Sequence, residues 1–233
     1  MTGQAADISA VIFDMDGLMF DTESIVVEAW KHAGRAYGYE ISASLVIQSV
    51  GVNSHDTQVL FEQALGPAFN FHRVRTLRDQ YVDDMIEHDG VPLKDGLGEL
   101  LDVLANHAVL KAVATSTERT RAEILLRKAG VSPRFEAVVC GNEVQRGKPA
   151  PDIFLLAADR LQATPRNCIV LEDSESGIQA AVNANMRPFM IPDLKPPSPA
   201  ILAMVEQIFP NLHAVASYLS DIFTASVNGK RES

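Results

Sequence analysis

The chain has 233 residues, 47% of them hydrophobic, and 30 acidic side chains against 20 Lys and Arg give it a formal net charge of −10. That length and apolar content suit one core of ordinary size, or a core with a small insertion. The acidic balance argues against nucleic acid or an anionic membrane surface as a partner, and no apolar run approaches the ~20 residues needed to cross a bilayer.

The first predicted element is a buried strand, Ala10 to Phe13. Asp14 and Asp16 follow at once, just past the carboxyl end of the strand, where open α/β sheets bind ligands; Gly17 then lets the chain turn. Carboxylates held that close raise each other's pKa unless a cation or a shared proton relieves them, and a divalent metal is the simplest remedy. From Met19 to Val91 no convincing strand occurs, while helical periodicity runs through Ser24 to Ala36, Thr57 to Ala64 and Arg73 to Ile86. This stretch is expected to be a helical insertion, returning through turn signals at Gly90, Pro92 and Gly96.

Leu97, Leu100, Leu101 and Leu104 form a helical face before a second strand, Leu110 to Ala114. Thr115, Ser116 and Thr117 at its end precede a helix starting near Glu118; they could hold a phosphate or serve only as a helix cap. Ile124, Leu125, Lys128 and Ala129 continue the helical pattern before a third strand, Ala137 to Cys140. In the following loop Lys148 has prolines after it at 149 and 151, a stiffness that could aim its ammonium inward. The loop is no Walker motif, because five residues separate Gly141 from Gly147 and Pro149 stands where Ser or Thr would hold magnesium. A fourth strand, Cys168 to Leu171, leads into Glu172, Asp173, Ser174 and Glu175, then Gly177 and an alanine-rich helix. Acids there could cap the helix or bind metal. A last strand, Phe189 to Ile191, precedes a proline-rich stretch and helices expected over Ala200 to Ile208 and Leu212 to Ile222.

Strands alternating with helices imply right-handed βαβ units and a parallel sheet. If the strands are parallel, their ends lie on one edge and gather Asp14, Asp16, Thr115, Ser116, Lys148, Glu172 and Asp173 in one crevice. A nucleophile, an acid, phosphate donors and a metal site are then all present. The six histidines are scattered and include no pair spaced for zinc. Cys140 and Cys168 both lie in apolar, strand-like stretches, so buried reduced thiols and a reducing, cytoplasmic setting are expected, and the amino terminus lacks the pattern of a targeting segment.

In order along the chain, Phe13-Asp-Met-Asp-Gly-Leu-Met-Phe-Asp-Thr-Glu23, Thr115-Ser116, Gly147-Lys-Pro-Ala-Pro-Asp152 and Leu171-Glu-Asp-Ser-Glu-Ser-Gly177 resemble the motifs of the haloacid dehalogenase superfamily. The subgroup is that of phosphatases and β-phosphoglucomutase-like enzymes with a helical cap. The resemblance implies an α/β fold: a Rossmann-like parallel sheet with helices on both faces, formed by residues 1–18 and 92–233, and a small all-helical cap over 19–91. It implies that Asp14 is the nucleophile that becomes an aspartyl phosphate and that Asp16 protonates the leaving oxygen and then activates water. Thr115, Ser116 and Lys148 would hold the phosphate. Mg²⁺ would join Asp14, the Asp16 carbonyl and Asp173, with Glu172 a further acid at the metal or serving the cap.

In relatives with this cap, the loop between its helices selects the substrate, and Val50 to His55 is the corresponding stretch, with Gly51, Asn53 and His55 as candidate contacts. Sugar-phosphate mutases of the subgroup carry an arginine near Ser54 and a histidine near Val26, and neither is present. The expected activity is Mg²⁺-dependent hydrolysis of a small phosphomonoester, a sugar phosphate or similar metabolite, with a sugar phosphomutase as the alternative. Dehalogenases and phosphonate hydrolases of the superfamily lack the acid at Asp16, and a silent binding module would have lost one of the acids or Lys148. No exposed apolar stripe argues for an interface, and a monomer is expected.

Overall fold

The computed structural model describes residues 8–50, 52 and 54–229. The chain divides into two compact units, one of Met1–Phe20 with Leu93–Ser233 and one of Asp21–Pro92. The first is built on a parallel sheet of β1 (Ala10–Phe13), β2 (Leu110–Thr115), β3 (Ala137–Cys140), β4 (Cys168–Glu172), β5 (Arg187–Met190) and β6 (Gln207–Ile208). The strand order is β3-β2-β1-β4-β5-β6, and every pairing is parallel. β1 lies between β2 and β4 in a sheet with helices on both faces, and all four of its residues are apolar and buried.

In the helical unit, α1 (Thr22–Ala36), α2 (Ala43–Ser49), α3 (Ser54–Leu65) and α4 (Phe71–Asp89) follow in order. Its own core gathers Trp30, Ala33, Ile41, Leu45, Val46, Phe61, Phe69, Phe71 and Val74. Ser42 and Asn70 cap α2 and α4, their side chains accepting from the N–H groups of Leu45 and Arg73. In the sheet unit come α5 (Leu97–Asn106), α6 (Arg119–Lys128), α7 (Asp152–Arg160), α8 (Glu175–Asn183), the single turn α9 (Pro199–Leu202) and α10 (Leu212–Gly229). The Ile12 face of the sheet packs on Ile153, Phe154 and Ala157 of α7 and on Ala180 and Ala181 of α8. On the other face α5 packs against α10 and β2, and the Phe189 ring meets Tyr218 of α10. Among the described residues no helix is long and apolar enough to cross a membrane, and Cys140 and Cys168 are buried, free thiols.

Several elements differ from the sequence pattern. Residues expected as one helix over Ala200 to Ile208 instead form the α9 turn and the edge strand β6, whose Gln207 and Ile208 pair with Phe189 and Met190. A strand of two residues has no period to read. The last long strand ends at Met190 and starts at Arg187, and α2 had no counterpart in the periodic pattern. Met19 and Phe20 belong with the sheet rather than with the insertion. Their N–H groups both donate to Met15 O, and Phe20 bridges to Asp16 and Leu93. On α6 the buried face is Ala122, Leu125 and Leu126, while Ile124 is 39% exposed.

That last difference yields a stability prediction. Leu125→Ala should lower the unfolding free energy by about 2–4 kcal/mol through lost burial and a residual cavity, whereas Ile124→Ala should cost less than about 1 kcal/mol. Urea titration of both variants checks it; equal losses would return Ile124 to the core.

Candidate active site

The ends of three adjacent strands and the loop after a fourth converge on one ammonium group. Asp14 is the first residue past β1 and is still tied to the ladder, its N–H donating to Leu171 O at 3.0 Å. Lys148 reaches it from the loop between β3 and α7, after a chain turn whose Lys148–Pro149 peptide is cis. The Lys148 ammonium donates to Asp14 Oδ1, to Glu172 Oε1 at 2.6 Å and to Ala114 O of β2 at 3.2 Å. An ammonium has three protons, and all three are used. Its side chain is 5% exposed and those of Asp14 and Glu172 are 11% and 0% exposed, so the cluster is withdrawn from water.

Glu172 ends β4 and its carboxylate is held from the far side as well. Ser174, the N-cap of α8, donates to Glu172 Oε2 through both its N–H at 3.0 Å and its hydroxyl at 2.8 Å. Gly177 makes room for this: a Cβ there would lie 1.8 Å from Glu172 Oε1. Asp173 turns the other way, against Gly17, whose φ of +84° and 2.5 Å approach of a would-be Cβ to Asp173 Oδ2 together require glycine. Ligand oxygens of Asp14, Glu172 and Asp173 lie within 4.8 Å of one another.

Asp16 stands at the rim, half-buried, and its Oδ2 accepts from the Thr117 hydroxyl at 2.7 Å. Its carboxylate is not among the three that cluster. Of the hydroxyls after β2, Thr115 is buried and its Oγ1 accepts from the Thr117 N–H at 3.0 Å, which shapes the turn, whereas Ser116 is exposed. In the helical unit His55 is exposed, and it lies in the first turn of α3 rather than in a loop. Gly51 and Asn53 lie outside the described residues.

The electrostatics follow from burial. Burial pushes the Asp14 carboxyl up from its ordinary 3.8 to about 7; Lys148 pulls it down, and the nearby charges of Glu172 and Asp16 add to the rise. Burial alone would discharge Lys148, but Asp14 and Glu172 together outweigh it and hold its pKa above the ordinary lysine value. Two carboxylates, those of Asp14 and Glu172, thus share one ammonium, and burial leaves the Asp14 carboxyl raised in spite of it. All the clustered donors are carboxylate oxygens, the hard ligands that suit Mg²⁺ or Ca²⁺ and not the nitrogen and sulfur ligands of zinc.

The family model described as haloacid dehalogenase-like hydrolase matches residues 11–191, which spans every group just described. The chain belongs to this family. It is 32% identical over 183 residues to a phosphorylated carbohydrates phosphatase of Thermotoga maritima, covering 77% of this chain and 82% of that protein. It is 30% identical over 188 residues to the β-phosphoglucomutase of Bacillus subtilis, covering 77% of this chain and 81% of the other. A haloacid dehalogenase family hydrolase of Deinococcus radiodurans, solved with bound phosphate and sodium, shares the fold with a TM-score of 0.80 at 23% identity over 93% of this chain and 97% of its own.

For a hydrolase of this family the hidden part of the site is the support around Glu172. In sequence Ser174 and Gly177 read only as the start of a helix, Ser being an ordinary N-cap residue. Thr117 was legible as a loop hydroxyl but not as the partner of Asp16.

Removing the ammonium should be costly. Lys148→Met should destabilise the protein by about 3–5 kcal/mol, because two buried carboxylates lose their counter-charge. Protonation relieves such a penalty, so the loss should be smaller at pH 5 than at pH 8. Urea unfolding at both pH values measures it, and an unchanged midpoint would contradict the role given to Lys148.

Proposed function

We propose that the chain hydrolyses small phosphomonoesters, a sugar phosphate or similar metabolite, by passing the phosphoryl group through Asp14 to water. The observation that carries this reading is the Asp14 carboxylate at the end of β1, hydrogen-bonded to the buried Lys148 ammonium with the Asp16 carboxylate two residues on. Phosphoryl transfer depends on in-line positioning and charge neutralisation. In the first half, an Asp14 oxygen attacks phosphorus, the ester bond breaks, and protonated Asp16 gives its proton to the departing oxygen. In the second, water attacks the aspartyl phosphate at phosphorus and loses a proton to the Asp16 carboxylate. Asp14 leaves as a carboxylate and inorganic phosphate is released.

Lys148 lends its charge without reorganising, because its protons are already directed. Ser116, exposed at the end of β2, is the hydroxyl offered to a phosphate oxygen, while Thr115 shapes the turn. Mg²⁺ fits the donor set and would be held by Asp14, Asp173 and the Asp16 backbone carbonyl, where it supplies positive charge against the phosphoryl oxygens. Glu172 already accepts from Lys148 and twice from Ser174, which suits an anchor for Lys148 better than a ligand. The helical unit serves as the substrate-selecting cap in this reading, with His55 a candidate contact. The likeness to a phosphatase of phosphorylated carbohydrates supports the substrate class.

A phosphomutase is the second reading, and one observation favours it. Although no arginine lies near Ser54 in the sequence, Arg75 of α4 donates from Nη1 to Ser54 Oγ at 2.6 Å. An arginine therefore stands there in space. Incubation with a hexose phosphate decides between the two: hydrolysis releases inorganic phosphate and free sugar, a mutase returns an isomeric sugar phosphate.

Asp14→Asn should abolish turnover of any phosphomonoester in a folded protein, since an amide is a far poorer nucleophile. Asp16→Asn should fall by roughly 10²–10⁴. A steady-state assay finding either within a few-fold of wild type removes that residue from the mechanism. Activity should vanish in chelator and return with Mg²⁺; full turnover in chelator would contradict the metal assignment.

A further inference from the structure

The acid–base residue of this site has to work in two protonation states, and its neighbours must tolerate both. A hydroxyl donates to a carboxylate and can accept from a carboxylic acid. The group found on Asp16 Oδ2 is such a hydroxyl, Thr117 Oγ1, at 2.7 Å.

Thr117 itself is held firmly by neighbours that belong to two strand ends. Its N–H donates to Thr115 Oγ1 at 3.0 Å and its carbonyl accepts from the Gly141 N–H at 3.1 Å. Gly141 packs so closely that a Cβ there would lie 2.3 Å from Ser116 O. Two residues on, the Arg119 N–H donates to Asn142 Oδ1 at 3.2 Å, and the Arg119 guanidinium donates to Val138 O at 2.8 Å and to the Glu143 carboxylate. The turn after β2 is thus fastened to the turn after β3. With its N–H and carbonyl both held, Thr117 presents its hydroxyl to one oxygen of the Asp16 carboxyl from a fastened turn. Asp16, by contrast, follows a four-residue strand and leads into a tight turn closed by the Gly17 N–H on Phe20 O.

We infer that Thr117 is a positioning residue for Asp16, aligning its carboxyl for proton donation to the leaving oxygen and for proton removal from water. The inference rests on the acid–base role proposed for Asp16. Thr117 touches neither phosphorus nor leaving group in this scheme, so its loss lowers kcat more than it changes KM. Its effect also scales with the need for a proton: a sugar alkoxide leaves only with one, whereas nitrophenolate leaves without.

The test compares wild type, Thr117→Val and Thr117→Ser with Mg²⁺ on a hexose phosphate and on p-nitrophenyl phosphate. With the valine variant, kcat on the hexose phosphate should fall roughly 10- to 100-fold, with KM within about threefold. The pre-steady-state burst of nitrophenolate, which reads only phosphorylation of Asp14, should change less than about threefold. Serine should restore kcat to within about threefold of wild type. Thr117→Ala replaces the valine variant if the latter does not fold. Valine at wild-type kcat, serine as impaired as valine, or a nitrophenolate burst slowed as much as sugar-phosphate turnover would each overturn the inference. Failure of wild type to turn over either ester overturns the proposed hydrolase reading, and this inference with it.

Discussion

One buried ammonium holds the working edge of this sheet together. Lys148 bonds to groups from β1, β2 and β4 while itself belonging to the loop after β3. Four consecutive strands of the sheet order therefore meet at a single nitrogen. Desolvating an ion is expensive and is repaid only when every proton and lone pair finds a partner; here the ammonium is saturated and Glu172 is braced by Ser174. Burial leaves the Asp14 carboxyl raised despite Lys148, and the nearby charges of Glu172 and Asp16 add to the rise. Carboxylate oxygens of Asp14, Glu172 and Asp173 gather beside that nitrogen, hard donors of the kind that suit a divalent cation.

The scaffold explains why these groups can be so close. A parallel sheet covered on both faces puts every strand end at one edge, and the short β1 delivers Asp14 while still hydrogen-bonded to β4. Glycines at 17 and 177 remove the side-chain atoms that would otherwise occupy the positions of Asp173 and Glu172 oxygens. The helical unit is a separate matter of packing: it has its own aromatic core around Trp30 and Phe61. The chain passes between the units twice, and the two passages pair with each other, Lys94 N–H donating to Met19 O at 2.9 Å and Asp21 N–H to Pro92 O at 2.9 Å.

Much of this was legible in sequence because the physics was local. Ala10 to Phe13, Ala137 to Cys140 and Cys168 to Leu171 are short apolar runs of the kind a covered strand carries, and polar residues at each strand end marked the edge. Lys148 stood out because prolines follow it at 149 and 151. What escaped notice depended on contacts between distant segments. Thr117 and Asp16 are 101 positions apart; β6 exists only because Phe189 and Met190 offer it an edge. Ile124 fitted a helical period, yet the burial of Ala122, Leu125 and Leu126 turned that face away from it. The Arg75 contact with Ser54 is likewise absent from any local pattern.

The central claim is that Asp14 carries the phosphoryl group. Rapid acid quenching during turnover of a hexose phosphate, followed by proteolysis and mass spectrometry, tests it most directly. The account predicts one phosphoryl adduct, on the Asp14 side chain, which disappears when Mg²⁺ is withheld. An adduct on another residue, or turnover with no adduct trapped at any quench time, would contradict it.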